Sequence, residues 1–347
     1  MYFASDNAGR VHPQVMDALA EANTGFAMPY GEDTIMDEVR DRLREVFEAP
    51  DAAVYLVATG TAANSIALAT LCRPWQTVFC SPVAHIHEDE CNAPEFYAGG
   101  AKLTLVGEGD KMTPKSLRNA IAREETRGVH GPQRGPVSIT QVTERGSIYT
   151  VSELRALCDV AKSFDLPVHL DGARFSNALV ELGCSPAEMT WKIGVDAVSF
   201  GGTKNGLMGV EAVIFFDPAH AWEFELRRKR GAHLFSKHRF LSAQMAGYLR
   251  DDLWLACARA ANDNCARLAK GLREAGAGFL HEPQANMIFA RFPRSTHRRL
   301  HQAGAVYYLW EGELKGDDPE EFLAARLVCD WSLTHAQIDQ FVDLLKG

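Results

Sequence analysis

Two residues at the ends of apolar runs have the types and the setting for one particular chemistry. Asp171 closes the run Leu166-Pro167-Val168-His169-Leu170-Asp171, which continues as Gly172-Ala173-Arg174. Lys204 lies in the turn Gly201-Gly202-Thr203-Lys204-Asn205-Gly206, between the apolar runs Val195–Phe200 and Val210–Phe216. A strand-end lysine can form a Schiff base with an aldehyde cofactor. A strand-end carboxylate can keep a pyridine nitrogen protonated, so that the ring accepts electrons. The pair points to pyridoxal 5'-phosphate (PLP). A phosphate cradle is also present. Thr59-Gly60-Thr61-Ala62-Ala63-Asn64 joins a short strand to an Ala- and Leu-rich helix, where small residues and the helix dipole favour an anion. It is not a Walker loop, because Lys204 follows Thr203 rather than a glycine.

A second dense segment is His85-Ile86-His87-Glu88-Asp89-Glu90-Cys91. The pair His85/His87 with its nearby acids opens an alternative, a metal-dependent hydrolase. That reading lacks a matching His/Asp cluster elsewhere, and no metal is expected. The other use of His85 is aromatic, as a ring that stacks on a flat cofactor.

The elements that must position these residues alternate in type. Helices are expected over Pro13–Glu21 and Asp33–Glu48, the second with Val39, Leu43, Val46 and Phe47 on one face. Strands are expected at Val54–Ala58, Thr77–Cys80, Lys102–Val106, Val137–Val142 and Pro167–Leu170, with helices between them. Thr150-Val151-Ser152-Glu153 and Ser185-Pro186-Ala187-Glu188 are helix starts. Such alternation implies an α/β fold with a mostly parallel sheet covered on both faces. Near residue 245 the pattern changes. A long helix over Trp254–Glu274 precedes strands Asn286–Phe292, Val306–Trp310 and Ala325–Asp330, a helix near 296–303, and a last helix opening at Thr334-His335-Ala336-Gln337. This reads as a large domain, 1–245, and a smaller α+β domain, 246–347.

Composition bounds the partners. The chain of 347 residues carries a net charge of −9, with 46% hydrophobic and 23% charged residues. An acidic balance argues against a general nucleic-acid binder. The basic run Arg227-Arg228-Lys229-Arg230 reads as a charged helix face. Eight scattered cysteines without a C-x-x-C spacing read as reduced, buried thiols, and no apolar stretch approaches the length of a membrane helix. A cytoplasmic protein with no membrane partner is expected.

Read together, Ser5-Asp6-Asn7, Tyr30-Gly31-Glu32-Asp33, Gly60-Thr61-Ala62-Ala63-Asn64, Ala84-His85, Asp171-Gly172-Ala173-Arg174 and Gly202-Thr203-Lys204-Asn205-Gly206 occur in an order that resembles the low-specificity L-threonine aldolases. These are PLP-dependent enzymes of the transferase-like fold type I, and the likeness extends over essentially the whole chain, nearest to the Pseudomonas-type threonine and phenylserine aldolases. The resemblance implies retro-aldol cleavage of L-β-hydroxy-α-amino acids, with another fold type I lyase, such as a β-eliminating one, as the alternative. It implies that Lys204 holds PLP, Asp171 pairs with the ring nitrogen, His85 stacks on the ring, and Gly60 and Thr61 bind the phosphate. Ser5 and Asp6 of an N-terminal arm, residues 1–12, would join Arg174 and Arg326 around the substrate carboxylate, with Arg174 also beside the cofactor. It further implies a homotetramer, a dimer of dimers, whose sites take Tyr30 and a phosphate-binding cation, Lys237, from a neighbouring subunit. One departure concerns proton transfer. Where many members have a histidine, this chain reads Thr143-Glu144-Arg145-Gly146, so Glu144 takes that place, with Glu90 or a water held by His85 as the other candidates.

Overall fold

The computed structural model describes residues 1–346. Its larger sheet has seven strands: β1 (Ala53–Val57), β2 (Gln76–Cys80), β3 (Lys102–Leu105), β4 (Gln133–Thr140), β5 (Val168–Gly172), β6 (Ala197–Gly201) and β7 (Glu211–Phe215). Their order is β1-β7-β6-β5-β4-β2-β3. The pairs β3–β2, β2–β4, β4–β5 and β5–β6 are parallel, while β7 runs antiparallel to both β6 and β1. Six strands therefore point the same way and only β7 is reversed. The loops that follow β1, β2, β4, β5 and β6 emerge at one edge, and β7 begins there with Glu211.

Strands β5, β6 and β7 are buried along their whole length, as their apolar runs anticipate. The pleat sends Val168 and Leu170 of β5 to one face and His169 and Asp171 to the other. His169 spans its neighbours, with Nδ1 3.0 Å from Ser138 Oγ on β4 and Nε2 3.0 Å from Ser199 Oγ on β6. Burial pushes this imidazole down to about 4, so it serves as a neutral cross-strand link.

A second sheet is fully antiparallel, in the order β10 (Tyr308–Glu311), β11 (Phe322–Val328), β9 (Met287–Pro293) and β8 (Gly278–Phe279). The long helix Leu253–Glu274 and the helix His335–Lys346 cover it, forming a separate apolar cluster that includes Leu268, Ile288, Leu327 and Phe341. Phe3 belongs to this cluster and lies edge-on to Phe341. The first residues add to the small sheet through Phe3 N–H to Val306 O at 2.8 Å and Val328 N–H to Phe3 O at 2.8 Å.

The capping boxes at Thr150 and Ser185 form, and Thr334 exchanges hydrogen bonds with Gln337 at the start of the last helix. The helix read as Asp33–Glu48 spans Thr34–Val46, because Asp33 is its cap and accepts from Met36 N–H. The basic run differs from expectation. It lies on the helix Ala221–Arg230, but Arg228 turns inward, over the Tyr55 ring at 5.0 Å, and donates to Leu56 O. Four consecutive helical residues sweep about 300° and cannot share one face. Seven cysteines are buried or half-buried; Cys91 is exposed, and all eight are free.

Candidate active site

The edge where the six strands end carries a cleft of about 260 Å³, whose lining includes Asn7, Gly60, Thr61, His85, Asp171 and Lys204. Lys204 stands in a single 3-10 turn, Thr203–Asn205, between β6 and β7. Four contacts fix that turn. Gly202 N–H donates to Glu211 Oε2 at 2.6 Å, and Val210 N–H donates to Thr203 Oγ1 at 3.2 Å. Asn205 Nδ2 donates to the Tyr248 hydroxyl at 2.6 Å and to Trp254 O at 2.8 Å. The two glycines before the lysine are required by crowding. A Cβ at Gly201 would collide with the Ala173 carbonyl, and one at Gly202 with Leu207 and the Val210 carbonyl.

Asp171 is 2% exposed. Its Oδ1 accepts from Ala173 N–H at 3.1 Å and its Oδ2 from Asn64 Nδ2 at 3.0 Å. His85 opens the short helix His85–Glu88 after β2, and its Nδ1 lies 2.8 Å from Glu90 Oε1. That hydrogen bond raises His85's affinity for a proton above the ordinary imidazole value, against the opposing effect of burial. Burial pushes the Glu90 carboxyl up. Glu90, which the sequence offered as a proton-transfer group, is 3% exposed and lies in the cleft wall beside His85. His87 stays at the surface beside Glu88, and among the described residues no group of three or more His, Cys, Asp or Glu side chains converges as a metal site would need.

The helix Gly60–Leu71 begins at the cleft. Thr59 caps it by accepting from Ala62 N–H at 3.1 Å on its hydroxyl and from Ala63 N–H at 3.1 Å on its carbonyl. The first amides, those of Gly60 and Thr61, have no intrahelical acceptor by position. A Cβ placed on Gly60 would meet open space. A phosphate-bearing ring therefore fits this donor set: helix amides for the phosphate, Asp171 for the ring nitrogen, Lys204 for the aldehyde carbon and His85 for the ring face.

The carboxylate clamp expected from the resemblance is arranged differently. Arg174 donates from Nε and Nη2 to Asp6 at 2.7 and 3.0 Å, and these side chains are only 2% and 1% exposed. Asn286 Nδ2 adds a third bond to Asp6 Oδ2 at 3.0 Å. Asp6 and Arg174 consequently neutralise each other. Burial alone would push the Asp6 carboxyl up. The charges of Arg174 and Lys204, with the hydrogen bonds from Arg174 and Asn286, outweigh it and hold the group below the usual carboxylate range. Ser5 is also engaged within the chain. Its hydroxyl caps the turn Asp6–Ala8 by accepting from Asn7 N–H, and the residue lines a separate groove with Asp330 and Ser332. Asn7, not Ser5, lines the cleft. Arg326 on β11 retains a guanidinium whose side-chain contact is from Nη2 to the Met287 sulfur at 3.8 Å. Burial and the nearby Arg174 lower its proton affinity, while Asp6, Glu144 and Asp89 oppose them. Glu144, in the loop after β4, is half-buried and acts electrostatically on His85, Arg174 and Arg326.

Tyr30 and Lys237 lie outside this cleft. Both are exposed, and Tyr30 lies under Lys229 Nζ at 4.7 Å. Sequence reasoning gave no role to Asn64 or Glu211, which hold the carboxylate and the lysine turn. The position of Asn64 at the fifth residue of the glycine-led helix was the available clue.

The sheet, with its lysine turn and strand-end carboxylate, defines an enzyme of the PLP fold type I class. The beta-eliminating lyase family profile matches residues 2–294. The low-specificity L-threonine aldolase of Pseudomonas aeruginosa is 42% identical over 95% of this chain and 92% of its own length. The threonine aldolase of Leishmania major superposes with a TM-score of 0.92 at 26% identity, covering 99% of this chain and 98% of that one. A serine palmitoyltransferase from S. paucimobilis shares the fold at a TM-score of 0.72 and 18% identity, over 100% of this chain and 86% of its own. The chain belongs to the low-specificity L-threonine aldolases, within the beta-eliminating lyase family.

Proposed function

We propose that this enzyme cleaves L-threonine and L-allo-threonine to glycine and acetaldehyde by a PLP-dependent retro-aldol reaction. The convergence of Lys204, Asp171, His85 and the Gly60–Thr61 amides on one cleft carries this reading, in a chain 42% identical to a named L-threonine aldolase. Bound PLP supplies an electron-accepting ring that stabilises charge left on Cα when the Cα–Cβ bond breaks. Asp171, buried and acceptor-only, keeps a proton on the ring nitrogen. Lys204 presents its amine and removes or returns protons at the cleft. Arg326 orients the substrate carboxylate, and orientation of this kind is worth several powers of ten in rate. Glu144 and His85 are the groups assigned to take the β-hydroxyl proton, a role supported by the electrostatic influence of Glu144 on His85.

L-Phenylserine, which would yield benzaldehyde, is the second substrate to compare. The reading includes a homotetramer in which Tyr30 and Lys237 reach a neighbour's site; their exposure outside this chain's cleft supports it. It includes the division at 245/246, supported by the two separate sheets, although the helix Arg239–Leu249 runs across that point. It includes a cytoplasmic setting, supported by eight unpaired cysteines. Acetaldehyde release, followed with alcohol dehydrogenase and NADH, tests the activity. It should appear with L-threonine and vanish in Lys204→Ala. No acetaldehyde from the PLP-supplemented wild type, or full turnover in Lys204→Ala, defeats the proposal.

A further inference from the structure

Asp171 and His85 are joined by two residues that have no part in the roles above. Asn64 Nδ2 lies 2.9 Å from Glu90 Oε1 and 3.0 Å from Asp171 Oδ2. Glu90 Oε1 also meets His85 Nδ1 at 2.8 Å, and Glu90 Oε2 meets Ser65 Oγ at 3.5 Å. Asn64, Glu90 and Asp171 are 2%, 3% and 2% exposed, and the bonds between them are direct. Between two carboxylates only a group with two hydrogens can satisfy both sides, and the amide nitrogen is such a group. The amide oxygen is left buried without a partner. The molecule tolerates that orphan acceptor in exchange for the two bonds from the amide nitrogen.

The same logic fixes the histidine. Glu90 Oε1 already accepts from the Asn64 amide, and as an acceptor toward His85 it places the hydrogen on Nδ1. Nε2 is then the nitrogen left to exchange a proton. We propose that Asn64 and Glu90 are positioning residues, a buried chain that holds the His85 ring in its Nδ1–H form and the Asp171 carboxylate in one orientation. The inference deepens the retro-aldol reading and rests on it. Glu90 then acts through His85 rather than on the substrate. The other groups facing His85 are Glu144 from the loop after β4, Asp171 from β5 and Lys204 from its turn. Asp171 also faces Glu90, and their like charges are kept apart by the Asn64 amide.

The test uses holoenzyme labelled with 15N-histidine and long-range 1H–15N correlation spectra across pH, with the His85 resonances assigned by their loss in His85→Gln. Wild-type His85 should show the Nδ1–H pattern. In Glu90→Gln its titration midpoint should fall and the two tautomers should mix. The kcat for L-threonine should drop about 10–100-fold, the range found when a partner that orients a working group is removed, while KM changes less than about threefold because Arg326 is untouched. In Asn64→Ala, Asp171 and Glu90 lose the donor between them, and the PLP dissociation constant should rise about tenfold. A His85 midpoint and tautomer unchanged in Glu90→Gln would overturn the proposal, as would unchanged PLP affinity in Asn64→Ala, which can be read even if the Glu90 variant does not fold. A wild type that shows the His85 pattern but releases no acetaldehyde would sink the retro-aldol reading and leave the positioning chain standing.

Discussion

Replacing Asp6 by alanine removes one half of a buried bidentate ion pair and leaves the Arg174 guanidinium behind. Two charge-assisted bonds of 2.7 and 3.0 Å are lost, together with the 3.0 Å bond from Asn286. At exposures of 1–2% water cannot compensate. Breaking a buried pair from one side destabilises by about 3–5 kcal/mol. For a chain of 347 residues the entropy of unfolding is about 0.7 kcal/mol/K, so Tm should fall by about 4–7 °C. Urea titration and scanning calorimetry measure both quantities. The double variant Asp6→Ala/Arg174→Met should recover about 2 kcal/mol of the loss relative to additivity, since it removes the stranded charge. The pH dependence has a definite sign. Asp6 is held below the usual carboxylate range, so its contribution is complete above about pH 4 and disappears as pH falls through the folded-state value. A loss under about 1 kcal/mol in Asp6→Ala, or strict additivity in the double variant, would refute the argument that Arg174 is committed to Asp6.

Three further expectations concern the cleft. Arg326→Lys should raise KM for L-threonine about tenfold or more with PLP affinity unchanged, because an ammonium cannot reproduce a bidentate grip on a carboxylate; steady-state kinetics and cofactor titration check this. Asp171→Asn should keep an acceptor for Ala173 N–H yet lower kcat about 100-fold or more, since the charge that favours a protonated ring nitrogen is gone; near-normal turnover would contradict it. Asn205→Ala should cost about 2 kcal/mol in urea unfolding, because the Tyr248 hydroxyl and the Trp254 carbonyl lose a buried donor, and it should slow turnover by loosening the lysine turn.

The architecture was legible where residue type and periodicity suffice. Apolar runs between capped helices located the five expected strands of the larger sheet, and the runs Val195–Phe200 and Val210–Phe216 became β6 and β7. Their ends were less legible. β4 starts at Gln133, four residues before the expected Val137, because pairing with Gln76 on β2 recruits polar residues into the ladder. β5 runs on through Asp171 and Gly172 because β6 continues beside them. In the site, Lys204, Asp171, Gly60 and Thr61 could be found because their chemistry is local to one turn. Partnerships were not legible. Arg174 and Asp6 are separated by 168 residues, and nothing in either segment states that the arginine is already spoken for. Ser5 shows the same limit, since nothing in its segment states that its hydroxyl accepts from Asn7 N–H at the turn it caps.

The opening residues reach from one sheet to the other. Met1 and Phe3 are sewn into the small sheet at Val306 and Val328, Asp6 grips Arg174 just beyond β5, and Asn7, the next residue, lines the cleft. Loosening the small sheet would therefore pull on the wall of the catalytic cavity. By reciprocity, a molecule lodged against Asn7 braces the small sheet from afar. A cavity cut into the Phe3 pocket, for instance at Phe341, would then surface as weakened binding of a ligand that Phe341 never touches.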